Sequence, residues 1–147
     1  MKALKYRHVK VVVPELAALM EAALAQRHVS TPAVLVPVPL HPRRLSERGH
    51  NQALLLAAAI SRNTGMPLTD RLIRTRYTQT QTGLGRRQRR RNVRGAFRWS
   101  GPALRSRAII LVDDVVTTTA TLDACAAACR KAGAREVWGL VAAMRCR

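Results

Sequence analysis

Acidic residues are scarce in this chain. Its 147 residues hold 8 Asp and Glu against 26 Lys and Arg, a formal net charge of +18. Aromatic residues are scarcer still, at 3% of the chain, which argues against a broad base-stacking platform. The three cysteines, Cys125, Cys129 and Cys146, include no CxxC pair and make no disulfide framework. They read as buried or idle thiols in a reducing compartment, with no metal ligands assigned. No apolar run reaches the roughly 18 residues that a membrane span needs. The opening "MKALKYRHVKVVVPEL" is basic, without a long apolar stretch or a small-residue cleavage site, so the expected location is the cytoplasm.

What is present is enough apolar sequence, 48%, for one real core. We expect a single domain over 1–147, with a basic lead-in at 1–13. Pro14 suits the first turn of a helix, and Leu16, Leu19, Met20, Ala23 and Leu24 then repeat at helical spacing. "AVLVPVPL", 33–40, predicts a short buried strand, "HPRRLSERGHNQ" a basic loop, and "QALLLAAAISRN" a helix stopped by Gly65 and Pro67. "DRLIRTRY" and "GAFRW" predict short strands around a polar, Arg-rich excursion, 78–95, read as a flexible loop. "RAIILV", 107–112, predicts a strand buried on both faces. Leu122, Cys125, Ala126 and Cys129 mark one face of a helix closed by Gly133, and "EVWGLVAAM" predicts a last strand. Strands alternating with helices predict an α/β fold with a mostly parallel central sheet flanked by helices.

Two of the eight acids, Asp113 and Asp114, stand together after the apolar run and lead into Thr117, Thr118, Thr119, Ala120 and Thr121. In open parallel sheets, ligands bind beyond the carboxyl ends of the strands. A helix N-terminus favours an anion, and threonine hydroxyls add donors. Carboxylates beside such a site suit a ligand with hydroxyls next to a phosphate, which is the layout of a sugar phosphate. A plain helix N-cap needs one such residue, not two acids.

"IILVDDVVTTTATL" resembles the phosphoribosyl-diphosphate motif of type I phosphoribosyltransferases. "LVPVPLHPRRLSERGHNQALLLA" and "QTGLGRRQRRRNVRGAF" narrow the resemblance to the ComF family, whose members include proteins of bacterial DNA uptake. It covers residues 5–144. The resemblance implies a type I phosphoribosyltransferase fold, with Asp113 and Asp114 on the ribose 2′- and 3′-hydroxyls and 117–121 on the 5′-phosphate. It implies a pyrophosphate loop of Pro37, Val38, Pro39 and Leu40, supported by Arg48, Gly49, Asn51 and Gln52. It places Arg86, Arg91 and Asn92 on a closing flexible loop, and a magnesium ion held mainly by the diphosphate and water. The family's N-terminal cysteine zinc ribbon is absent from this sequence, so no metal site is inherited. His50 stands where the family usually has Phe.

Thr119 replaces the glycine of the family loop. Glycine permits positive φ and close approach to a phosphate, whereas positive φ is an outlier for a β-branched residue. Either the loop takes negative φ at Thr119 and works, or phosphate binding is weakened. If the protein is an enzyme, it would transfer ribose phosphate to a nucleophile through an oxocarbenium-like transition state. The acceptor and any catalytic base are unassigned, and position 117 is Thr where purine-salvage relatives carry an acid.

The rival reading is a non-catalytic module for single-stranded nucleic acid. Arg86, Arg87, Arg89, Arg90, Arg91 and Arg94 crowd nine residues, and Tyr77, Phe97 and Trp99 bracket them. A solvated charged face is the ordinary explanation of such a run, and the strand pattern around Phe97 points it into the core. A basic structural protein would explain the charge but not the Asp-Asp-Thr segment.

Overall fold

The computed structural model describes residues 2–77, 86–105 and 107–145, with backbone alone at 2–11, 86, 87, 89 and 90. Its centre is a parallel sheet of three strands, β1 (Ala33–Pro37), β4 (Ala108–Val116) and β5 (Glu136–Met144), in the order β1-β4-β5. The register pairs Val36 with Leu111 and Ile110 with Trp138. At the other edge of β1, Leu35 bridges to Leu68, its N–H and carbonyl bonded to Pro67 and Thr69.

Strand β4 is apolar throughout its first five residues because both faces are covered. Successive side chains of a strand point to opposite faces. Ile109 and Leu111 join Val34 and Val36 against α5 (Ala120–Lys131), through Cys125, Ala126 and Cys129. Ile110 and Val112 join Leu35 and Leu140 against α1 (Lys2–Ala25) and α3 (Gln52–Thr64), through Ala17, Met20, Leu56 and Ile60. No helix among the described residues is long and apolar enough to cross a membrane.

Three expectations change. The lead-in at 1–13 is helical from Lys2, with Pro14 inside α1 rather than in its first turn. A proline removes one internal hydrogen bond without ending a helix that is packed further on, as Ala17 and Met20 are. The basic loop after Leu40 contains a helix, α2 (Pro42–Arg48), with no buried side chain. Its ends make it: Pro42 opens it, the Nδ1 of His41 accepts the Arg43 N–H at 3.2 Å, and Gly49, at φ 80°, returns its N–H to the Leu45 carbonyl. The excursion is part helix as well. Residues 78–85 and Cys146 lie outside the described residues, but 86–93 form α4 (Arg86–Val93). The strands around it, β2 (Leu72–Arg74) and β3 (Phe97–Trp99), pair antiparallel as a separate ribbon.

Candidate functional site

β1 ends at Pro37, opposite Val112 of β4, one residue before Asp113. The chain leaving β1 stays there, because the Val38 N–H donates to the Val112 carbonyl at 2.9 Å. Asn51 fixes it from the other side. Its Nδ2 donates to the Val38 carbonyl and its Oδ1 accepts the Ala53 N–H, both at 3.1 Å. One side chain therefore caps α3 and tethers the 37–40 segment next to Asp113. We expect Asn51→Ala to cost about 1 kcal/mol in urea unfolding, the usual loss for a missing cap. The Arg48–Gln52 contact is long, 3.5 Å, and exposed, so it adds little.

The acids do not follow the strand; they are in it. β4 continues to Val116, paired with Met144. Asp113 is half-buried, and its Oδ1 accepts the Asp114 N–H at 2.9 Å. The Asp114 Oδ1 accepts the Val115 N–H at 2.8 Å. A carboxylate has room for further donors beyond one such bond. Burial, and then the charge of Asp114, push the Asp113 carboxyl up to about 7; the Asp114 N–H and Arg74 pull the other way.

The threonine segment turns from β4 into α5. Thr119 has φ −69° and ψ −6°, an ordinary right-handed conformation, so the backbone here does not require the positive φ that glycine permits. Its hydroxyl donates to the Asp123 Oδ2 at 3.0 Å and does not cap the helix backbone. Thr117 and Thr119 are exposed, Thr118 and Thr121 half-buried, and Ala120 is buried at the start of α5. Asp113 and Asp114 thus follow directly on the pairing that ends β1, and the 117–121 turn and the 37–40 segment both leave the sheet at its carboxyl end.

Several neighbours had no signal in the sequence. Arg74 closes β2, and its guanidinium lies over the Phe97 ring, 5.3 Å from the centroid. At the start of α2, His41 packs edge-on against Tyr77 at 5.0 Å, with the Arg43 guanidinium 5.1 Å from the same ring. Phe97 is in the core, and the Trp99 indole donates to the Pro102 carbonyl. The three aromatics around the basic run therefore have separate tasks. Arg91 and Arg94 are exposed; the side chains of Arg86, Arg87, Arg89 and Arg90 lie outside the described residues. Arg76 holds the end of α4, donating through one nitrogen to the carbonyls of Asn92 and Arg94 at 2.9 Å each. Among the described residues, no group of three or more His, Cys, Asp or Glu could hold a metal ion.

No protein-family model matches the chain. It is 40% identical over 117 residues to Competence protein F of Haemophilus influenzae, covering 76% of this chain and 51% of that protein. It is 39% identical over 127 residues to DNA utilization protein YhgH of Escherichia coli K12, covering 83% of this chain and 56% of that one. The chain thus spans about half the length of these curated relatives. Among solved structures it is similar to a hypoxanthine phosphoribosyltransferase of Trypanosoma cruzi, with a TM-score of 0.51 and 13% identity, covering 95% of this chain and 78% of the other. The fold is that of the type I phosphoribosyltransferases.

Proposed function

This chain belongs to the ComF family, and from that premise we propose that it binds phosphoribosyl diphosphate, or a related ribose 5-phosphate, in a cytoplasmic role in DNA uptake or utilisation. The observation that carries the reading is the tethering of the 37–40 segment to β4 at Val112, directly before Asp113 and Asp114, on the side of the sheet where the 117–121 turn leaves β4 for α5. The carboxylates accept the ribose hydroxyls. The turn and the α5 N-terminus receive the 5′-phosphate. The segment at Pro37, Val38, Pro39 and Leu40 faces the diphosphate.

Two adjacent carboxylates and a diphosphate are an oxygen-rich set that suits magnesium, a hard cation content with few protein ligands. Asp113 and Asp114 are the residues that would adjoin it, and the ion would neutralise charge on the diphosphate. Were transfer to occur, the bond from C1 to the diphosphate would break as the acceptor bonds C1. The chain's part would be to hold the phosphate and ribose while arginines stabilise the leaving group. Calorimetric titration with magnesium phosphoribosyl diphosphate near pH 8 tests the reading. Micromolar binding supports it, and absence of binding rejects it.

A second reading has its own observation. Arg76 pins the end of α4, where Arg91 on the helix and Arg94 just beyond it stand exposed in a segment rich in further arginines. That arrangement suits the phosphates of single-stranded nucleic acid. Binding of a labelled oligonucleotide across a salt series checks it. Arg91→Gln combined with Arg94→Gln should lower the log–log salt slope by about 1.4, since each phosphate contact on a single strand contributes about 0.7. Under this reading Asp113→Asn leaves the slope unchanged.

A further inference from the structure

At the other end of β1 from the 37–40 segment lies a second concavity, of about 570 Å³. That volume is ordinary for a small-molecule site. The chain leaving α1, the approach to β1 and the turn after α3 form its walls, through Val29, Pro32 and Met66. Each wall is tied down. The Arg27 N–H donates to the Leu24 carbonyl at 3.0 Å, so the chain turns back as α1 ends. The Ser30 N–H donates to the Glu136 Oε1 of β5 at 2.7 Å. The Ser61 hydroxyl donates to the Met66 carbonyl at 2.7 Å, and the Pro67 carbonyl accepts the Leu35 N–H at 2.8 Å. Apolar surface and charge are divided within it. Leu24, Val29 and Met66 are half-buried against the α1–α3 core. Glu21 and Arg27 add one charge of each sign. The Glu21 Oε1 accepts from the Asn63 Nδ2 at 2.8 Å, which holds the carboxylate and leaves it room for a further donor. Arg27 is exposed and makes no ion pair among the described residues. Glu21 stands about 6 Å of helix before Ala25, where α1 ends, and Arg27 follows in the turn.

We propose that this concavity is a binding site for a free α-amino acid with a bulky apolar side chain. Such a molecule carries both charges on one carbon, a spacing that Glu21 and Arg27 can span. Its ammonium donates to Glu21. Its carboxylate meets the Arg27 guanidinium, whose fork matches two carboxylate oxygens. Its side chain covers Leu24, Val29 and Met66. A purely apolar ligand would take two charges out of water without partners, which is costly. A polyanion would meet the Glu21 carboxylate. A second copy of a chain with a net charge of +18 would meet general repulsion. The site stands apart from the sugar-phosphate residues at the far end of β1 and does not depend on them.

The probe is L-tryptophan, titrated against the whole chain and followed by the backbone amide signals in ¹⁵N NMR, which read both affinity and place. N-acetyl-tryptophan, which lacks the ammonium, and tryptophan amide, which lacks the carboxylate, are the controls. L-tryptophan should bind at about 1 mM or tighter, with shifts centred on Val29, Gly65 and Met66. Each control should bind about tenfold more weakly, the usual weight of a hydrogen bond to a charged group. In Glu21→Gln, which keeps an acceptor for Asn63, L-tryptophan should weaken about tenfold while N-acetyl-tryptophan weakens no further. In Arg27→Gln the same should hold for tryptophan amide. Equal binding of all three compounds overturns the proposal, because the surface is then merely apolar. Shifts centred elsewhere, or binding unaltered in both variants, overturn it too. So does the absence of shifts with L-tryptophan, L-phenylalanine, L-methionine and L-leucine up to about 10 mM. A dimer in sedimentation that both substitutions break apart would place a second copy there, and that also overturns it.

Discussion

Asp113→Asn combined with Asp114→Asn should abolish calorimetric binding of magnesium phosphoribosyl diphosphate while leaving the fold intact. The expected loss is at least a hundredfold. Each hydrogen bond to a charged acceptor contributes about 1.5–3 kcal/mol, and the pair presents two such acceptors to the ribose. The amides can still accept the following backbone N–H groups, which is how both carboxylates are held now. The local turn into α5 should therefore survive. The control is the circular dichroism spectrum and melting profile of the variant. Undiminished binding in a folded double variant would refute the assignment of the ribose to these acids. Comparing the wild type with the single variants then separates the half-buried Asp113 from Asp114.

The second large effect is on stability, and it runs opposite to function. The Asp113 carboxyl is raised from 3.8 to about 7, chiefly by burial. Between those values the folded state holds a proton that the unfolded chain releases, so stability falls as pH rises. The contribution of this group is fully present below its unfolded value and gone once pH has passed about 7. Asparagine has no such dependence. Asp113→Asn should therefore gain on the wild type between pH 5 and pH 8 by about 2 kcal/mol, read from urea unfolding at the two pH values. The other titrating groups are common to both proteins and largely cancel. Parallel pH profiles would show that Asp113 ionises normally. Under the sugar-phosphate reading, this cost in stability is the counterpart of a carboxylate kept for binding.

Much of this arrangement was legible because burial leaves a repeated pattern. The run from Ala108 to Val112 is apolar at every position, as a strand covered on both faces must be, and the Cys125–Cys129 face of α5 follows helical spacing. The Asp-Asp-Thr segment showed itself by composition, a patch of acid in a basic chain. Other parts left no such trace. α2 buries nothing, so it has no apolar period, and only Pro42 and Gly49 mark its ends. α4 has Val93 as its one apolar residue, amid like charges that suggest a loop. The sign of φ at Thr119 depends on how the turn enters α5, which side-chain identity does not reveal. Arg74 acts electrostatically on Asp113 from across 38 intervening positions, and a lone arginine ending a three-residue strand carries no hint of that.

The way α2 is fastened has a consequence for motion. Its seven residues are held by a histidine cap, a left-handed glycine and the packing of His41, edge-on, and Arg43 against Tyr77, with no side chain in the core. Segments with few buried contacts open at a free energy far below that of global unfolding. α2 can therefore open and reclose locally while β4 and its two apolar layers stay shut. The molecule thus joins a firmly packed central strand to a flank held by its own ends, and exchange of the α2 amides should run ahead of those of β4.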